Sequence, residues 1–347
     1  MTADDSMWES AQTAVLEALR QGGGEWRAAR ALADRAGIGL PHVGGVVDLL
    51  LRSGYVVEHH PRLGYRLVGA SDRLAPYEVS RGLRTAVIGR ELLAFDRVES
   101  TNDVAWGRAS MGAPDGAVYF AEEQTAGRGR MGRRWWCPKG KGLLFSVVLR
   151  PEIDVFRQPV LTTMSAVAVA KAVQETYALP VLIRWPNDIL VRGRKAGGIL
   201  VEARKMGGAA VFVLGIGVNT STRVDEFPEE IGQAATSLSV ETSRQVDRVE
   251  CARAVLRSLD RWYAVLRAED CGKIAREWRS MSSTLGRRVT LADSQAEYSG
   301  RVLDLSLEDG LILRLDSGVT RVFPPGRFTL TREAGVQLPG FGPPASA

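Results

Sequence analysis

Apolar residues recur at helical spacing through residues 7–19 and stop at Gly22-Gly23-Gly24. A second short helix is predicted over about 27–35, turned by Gly37, and a third over about 40–52, closed by Gly54. Alternating runs at 55–58 and 65–68 then flank a turn through His60-Pro61-Arg62-Leu63-Gly64, as a two-stranded wing would. Three helices and a wing over residues 1–69 predict a winged helix-turn-helix. Its third helix opens Pro41-His42-Val43-Gly44-Gly45 and carries no Lys or Arg until Arg52, so Arg27, Arg30, Arg35 and Arg62 would have to anchor phosphates. A packing or dimerisation module is the alternative.

Residues 70–90 form a polar linker, and the pattern then becomes that of an α/β domain over 91–282. Strands are predicted at 92–98, 116–122 and 142–149, and a helix runs from Ser100-Thr101-Asn102-Asp103 to about Met111. Residues 160–177 are Ala/Val-rich without a polar face, the signature of a buried helix. Two short strands are broken at Pro186-Asn187-Asp188, and an antiparallel hairpin follows at 199–203 and 211–218. Two more helices cover 246–266 and 273–281. Over 283–334 four short strands near 289, 301, 311 and 320 predict a small SH3-like barrel, and the Pro/Gly/Ala-rich tail 335–347 is expected to be disordered.

Composition narrows the chemistry. At 347 residues the chain exceeds one hydrophobic core, and no apolar run approaches the ~20 residues that span a bilayer. The N-terminus, with Asp4, Asp5 and Glu9, lacks the basic start and apolar core of a secretion signal, so a cytoplasmic location is expected. Cys137, Cys251 and Cys271 are too scattered for a disulfide framework or zinc site. His42, His59 and His60 all lie near the N-terminus, which argues against a His-ligated metal or a Ser-His-Asp centre in the main body. There is no GxxxxGK[ST] phosphate loop.

One stretch breaks the even charge balance. Gln124-Thr125-Ala126-Gly127-Arg128-Gly129-Arg130-Met131-Gly132-Arg133-Arg134-Trp135-Trp136 joins two predicted strands. Its glycines permit positive φ and its arginines can clamp an anion at two points. From Thr125 to Lys141 there are six Lys or Arg and no acid, in a chain of net charge +5, so the basicity is local. That favours a compact phosphate-bearing ligand over a broad nucleic-acid face. Ser100-Thr101-Asn102 reads first as a helix cap, with groups facing a polar head group as the alternative. Lys195, at the edge of an apolar strand, is either a solvated charge or a partner for a carboxylate.

Taken in order, Glu-Ser-Thr-Asn, GRGRMGR, Arg-Trp-Pro-Asn-Asp, Lys-Ala-Gly-Gly-Ile-Leu-Val-Glu and Gly-Ile-Gly-Val-Asn resemble the bacterial bifunctional biotin-protein ligase and biotin-operon repressor family over nearly the whole chain. The resemblance implies a core of the class II aminoacyl-tRNA-synthetase and biotin-ligase type, flanked by the winged helix and the SH3-like domain. It implies biotin as substrate and ATP with Mg2+ as cofactors. The acceptor would be a lysine of a biotin carboxyl carrier protein domain, with operator DNA and a homodimer as further options. By motif, Ser100, Thr101, Asn102 and Gln124 look like the holders of the biotin ring, and Arg128, Gly129 and Arg130 like the loop over the adenylate. Lys195 looks like the lysine near the carboxylate and phosphate, while Asn187 and Asn219 match nucleotide-side positions. Arg128, Arg130, Lys195 and Asp188 are the catalytic candidates, Asp188 as magnesium ligand or as base. Arg184 stands where the family often has Lys. A lipoate-type acyl-protein ligase and a ligand-sensing regulator without turnover are the rival readings.

Overall fold

Val15, Leu19, Leu32, Val46 and Leu50 are fully buried, and the first unit of the chain closes around them. It consists of α1 (Ala3–Gln21), α2 (Ala29–Ala36), α3 (Val43–Arg52) and the antiparallel strands β1 (Val56–His60) and β2 (Gly64–Gly69). The computed structural model describes residues 3–69 and 72–333 and separates into units Met1–Arg73 and Leu74–Ala347. Gly37 ends α2 in the left-handed conformation at φ 66°, its N–H returning to the Ala33 carbonyl. Helix α2 begins later than the apolar pattern suggests because Arg27 exchanges both backbone hydrogen bonds with Tyr65 of β2. The backbones approach so closely there that a Cβ on Gly64 would lie 2.1 Å from the Arg27 carbonyl oxygen. Residues 40–42 form a 3-10 turn ahead of α3, as Pro41 at the helix start favours.

The second unit opens with α4 (Pro76–Ser80), β3 (Leu92–Phe95), α5 (Thr101–Ser110), β4 (Val118–Ala121), β5 (Gly142–Leu149) and α6 (Gln158–Tyr177). It continues with β6 (Val181–Arg184), β7 (Asp188–Val191), β8 (Arg194–Met206) and β9 (Ala209–Asn219). The seven strands form one mixed sheet in the order β3-β4-β5-β9-β8-β7-β6, parallel between β3 and β4 and antiparallel elsewhere. Helix α6 lies on one face, with the side chains from Val160 to Val173 almost all buried. Apolar burial all round the helix replaces the one-sided stripe of a surface helix. Helix α5 covers part of the other face through Ala105, Trp106 and Ala109.

Short helices α7 (Glu229–Gly232) and α8 (Leu238–Thr242) precede α9 (Arg248–Arg267), which packs against α6, and α10 (Cys271–Ser280). Strands β10 (Arg288–Ala292), β11 (Glu297–Ser306), β12 (Gly310–Leu315), β13 (Thr320–Phe323) and β14 (Thr329–Glu333) form a separate antiparallel sheet in the order β13-β12-β11-β10-β14. Four strands are expected from the sequence there and five are present; Thr-Leu-Thr-Arg-Glu at β14 is too polar to stand out. The expected disordered tail, 335–347, lies outside the described residues, as do positions 70 and 71 of the expected linker. Among the described residues no helix is long and apolar enough to cross a membrane.

One buried ion pair fastens the core. Arg248 at the start of α9 meets the Glu122 carboxylate at 2.9 Å, both side chains being almost inaccessible. The other Glu122 oxygen accepts the Leu74 backbone N–H at 2.9 Å. Glu122 follows β4 directly, so it ties the first residue of the unit and α9 to the strand that leads into the Gly/Arg stretch.

Candidate active site

Ser100 is extended at φ −152° and ψ 138°, and its Oγ accepts the Asn102 N–H, so the cap reading of the Ser-Thr-Asn cluster holds. Capping uses only one of the three side chains. Gln124 Oε1 accepts the Thr101 N–H at 2.7 Å and its hydroxyl at 3.1 Å. Ser146 of β5 brings its Oγ to 2.6 Å from Asn102 Oδ1 and 2.7 Å from Thr101 Oγ1. A Cβ on Gly215 of β9 would lie 2.3 Å from Asn102 Oδ1, so the glycine makes room for this amide. Asn102 Nδ2 is buried with no hydrogen-bond partner.

Ser100, Thr101, Asn102, Gln124 and Gly215 form one end of a cavity of about 300 Å³, with Ser146 behind them. Its walls are the start of α5, the Gly/Arg loop, strands β7 to β9, the 227–235 segment and the edge of β14. Six cationic side chains line it, Arg128, Arg130, Arg133, Arg134, Arg184 and Lys195, against the one carboxylate of Asp188, so the cavity favours an anion.

The loop is shaped by its own backbone. Gly129 N–H meets the Arg133 carbonyl at 2.6 Å and Trp135 N–H meets that of Gly127 at 2.8 Å. Met131 and Gly132 both have positive φ, 55° and 74°, which turns the chain back on itself. The Trp135 indole lies flat along the sheet: a Cβ on Gly217 would come within 2.5 Å of it and one on Gly198 within 3.2 Å. Its Nε1 is buried and unpartnered. Trp136 packs against Phe227, with ring centroids 5.9 Å apart.

Arg128 is bidentate to Asp103, at 2.6 and 2.7 Å. The hydrogen bond between them holds the Asp103 carboxyl below and the Arg128 guanidinium above their ordinary pKa values. Arg130 reaches Asn187 Oδ1 at 3.5 Å, and Asn187 Nδ2 donates to the Ile199 carbonyl at 2.7 Å. Burial lowers the Arg130 pKa to about 10, against the opposing pull of Asp188. Thr329 of β14 touches both Met131 and Arg133, which brings the C-terminal sheet to the loop.

At the centre, Lys195 Nζ lies 2.5 Å from Asp188 Oδ1, and Arg184 Nη2 lies 2.7 Å from Oδ2. Burial pushes the Asp188 pKa up, and the Lys195 and Arg184 charges outweigh it, leaving the carboxyl at about 2. Both Nε and Nη2 of Arg184 donate to Asp188 Oδ2, so the planar fork of this guanidinium is turned onto that carboxylate. At the far end Asn219 donates to the Thr236 carbonyl at 3.0 Å, while its Oδ1 is buried and unpartnered.

The structure thus brings together every residue expected at the site: Ser100, Thr101, Asn102, Gln124, Arg128, Gly129, Arg130, Asn187, Asp188, Lys195 and Asn219 all line the cavity. A resident magnesium ion at Asp188 does not fit. Each of its oxygens already faces a cation, and among the described residues no group of three His, Cys, Asp or Glu side chains is placed to hold a metal. Phe227 and Thr329 in the cavity wall, and Ser146 behind Asn102, escape sequence reasoning, since only strand register and tertiary packing bring them there.

A family profile described as the biotin/lipoate A/B protein ligase family matches residues 94–219, the segment that holds most of these groups. The bifunctional ligase/repressor BirA of Bacillus subtilis is 32% identical over 310 residues, covering 89% of this chain and 95% of that protein. The chain belongs to the biotin/lipoate A/B protein ligase family. Two further members widen the comparison. The biotin–[acetyl-CoA-carboxylase] ligase of Mycobacterium tuberculosis is 36% identical over 228 residues, 63% of this chain and 82% of that one. The biotin protein ligase from Aquifex aeolicus in complex with biotin and ATP superposes with a TM-score of 0.60 at 27% identity, covering 71% of this chain and all of that one. The mixed sheet followed by an antiparallel C-terminal sheet is therefore the catalytic fold of a biotin ligase.

Proposed function

We propose that the chain activates biotin with ATP to biotinyl-5′-AMP and transfers the biotinyl group to a lysine of a biotin carboxyl carrier protein. The observation that carries this reading is one cavity with an unmet amide donor at Asn102, an unmet amide acceptor at Asn219 and a cationic centre between them. A carboxylic acid with a polar head group and a nucleotide with an exocyclic amine match those three features in order. A carboxylate does not acylate an amine in neutral water, so it must first be activated.

In the first step a biotin carboxylate oxygen bonds to the α-phosphorus, and the bond to the β-phosphate breaks, releasing pyrophosphate. In the second, the carrier lysine nitrogen bonds to the acyl carbon and gives up one proton to water, and AMP departs with the oxygen. Ser100, Thr101, Asn102 and Gln124 hold the head group, and the Trp135 ring covers the chain that links it to the carboxylate. Arg130 and Lys195 face the charge that grows on the phosphate oxygens; a unit charge pair at ~4 Å is worth roughly 4 kcal/mol at intermediate effective dielectric. Asp188, with a pKa near 2, is a poor proton acceptor and acts by orienting Lys195 and Arg184.

The finer architecture belongs to the same proposal. Residues 1–69 act as a winged helix-turn-helix on operator DNA, 70–90 as a linker, 91–282 as the ligase domain and 283–334 as an SH3-like domain, with a homodimer as the DNA-binding form. Arg30, Arg35 and Arg62 would meet phosphates, since α3 carries Asp48 and no basic residue before Arg52. Two assays test the whole. A carrier domain incubated with the chain, ATP and biotin gains the mass of one biotinyl group, and with lipoate it gains nothing. A biotin-operon promoter fragment shifts in a gel when biotin and ATP are present. Lipoylation in place of biotinylation would reject the substrate, and an unshifted promoter would reject the repressor role.

A further inference from the structure

The side chain of Glu241, in the short helix α8, is 1% exposed, and its carboxylate collects three partners. Oε1 accepts the Thr236 hydroxyl at 2.7 Å and the Arg194 Nη2–H at 2.6 Å, while Oε2 accepts from Arg192 Nη1 at 3.1 Å. The two arginines flank Gly193 in the turn from β7 to β8, where Arg192 has φ 47°. The carboxylate therefore joins that turn to residues 234–236, a stretch that lines the cavity at Ala234 and Ala235. Those three residues in turn hold two cavity residues. Lys195 N–H donates to the Ala234 carbonyl at 2.7 Å and Thr236 N–H to the Lys195 carbonyl at 2.9 Å, a parallel bridge that fixes the Lys195 backbone. The Thr236 carbonyl accepts the Asn219 Nδ2–H at 3.0 Å. A carbonyl can only accept, so this bond sets which way the Asn219 amide lies and leaves its buried, unpartnered Oδ1 as an acceptor.

We propose that Glu241 is a positioning residue for base selectivity: through the Thr236 hydroxyl it sets the Thr236 carbonyl, and that carbonyl holds Asn219 as an acceptor toward the base. An acceptor there favours a purine with an exocyclic amine and sets lone pair against lone pair when a keto group takes the place of the amine. Thr236 is fully buried, so its hydroxyl finds no water if the carboxylate is lost. It must turn toward another acceptor, and its own peptide unit turns with it. The head-group end of the cavity is held by Gln124 and Ser146 instead, which confines the effect to the nucleotide side. The inference takes its nucleotide, ATP, from the ligase reading above, but the base preference can be measured by binding alone.

The test uses the full chain carrying Glu241→Met or Thr236→Val, each close to the native size, with Thr236→Ser as the variant that keeps the hydroxyl. Pyrophosphate release with biotin is compared for ATP and for inosine triphosphate, in which a keto group replaces the amine. The wild type should prefer ATP. In Glu241→Met and in Thr236→Val the ratio of kcat/KM for ATP to that for inosine triphosphate should fall about two- to tenfold, the range of one hydrogen bond, while Thr236→Ser keeps the wild-type ratio. The double variant should fall no further than the lower single one, because both changes cut the same link. The KM for biotin should stay within about twofold of the wild type, since Gln124 and Ser146 hold the head-group end. Should Glu241→Met fail to fold, as judged by circular dichroism, Thr236→Val carries the same test alone. A merely structural role would slow both nucleotides alike; an unchanged ratio in the variants, or a wild type indifferent to the two bases, overturns the proposal. If the wild type releases no pyrophosphate, calorimetric binding of ATP and inosine triphosphate is compared in the same way. A preference for ATP that the variants lose then upholds the role of Glu241 and rejects the ligase reading.

Discussion

Asn102 shows how one side chain serves both structure and ligand. Its backbone N–H is capped by Ser100 and its Oδ1 meets Ser146, yet Nδ2 is buried and unmet. A buried donor left unpaired costs about 1–3 kcal/mol, which a ligand acceptor recovers. Asn102→Leu is therefore expected to lower kcat/KM for biotin about 10- to 100-fold, measured by pyrophosphate release. The cap was readable in the sequence and the close approach at the Gly215–Asn219 glycines was too, but Ser146, which aims the amide, was not, because a lone Ser in Leu-Leu-Phe-Ser-Val-Val shows nothing until register places it. Arg130→Gly removes a cation beside Asn187, and the adenylate should escape to biotinylate bystander amines; retention like that of the wild type would reject this role for Arg130. The Asp188 carboxyl has a pKa of about 2 against an unperturbed 3.8. A depressed carboxylate stabilises the fold above its unfolded pKa, so about 2 kcal/mol is expected to be lost as pH falls from about 4 to 2. In acid titrations followed by circular dichroism, Asp188→Asn should lack this contribution.

At the level of elements, long periodic segments were legible and short or mixed ones were not. Helix α6 could be recognised because its Ala/Val-rich run from Val160 to Val173 has one stable destination, the interior. Strand β3 ends at Phe95, three residues before the apolar pattern does, because beyond it Val98 pairs instead with Gln124 at the mouth of the loop. Helices α7 and α8 passed unseen, being shorter than the window over which helical period can be told. The Glu122–Arg248 pair could not be foreseen either, since its partners are far apart in sequence and each is an ordinary surface residue type. Breaking it leaves one buried charge without its partner. Arg248→Met is expected to destabilise the second unit by about 3 to 5 kcal/mol in denaturant unfolding, and adding Glu122→Leu should recover much of that. A single variant as stable as the wild type would show that the pair is not a fastening.

For the whole molecule, the Gly/Arg stretch was the clearest signal in the sequence, because local charge in a chain of net +5 has to face something. The structure places it over a cavity whose remaining walls come from α5, strands β7 to β9, the 227–235 segment and β14 of the second unit. Every described residue of that lining belongs to the second unit. Removing residues 1–68 should therefore abolish the promoter shift while leaving adenylate formation intact. The most direct test of the central claim is exchange of labelled pyrophosphate into ATP by the purified full-length chain. Exchange that depends on biotin, is absent with lipoate and falls at least tenfold in Asn102→Leu is the predicted result. Exchange that proceeds equally without biotin, or does not occur at all, would contradict it.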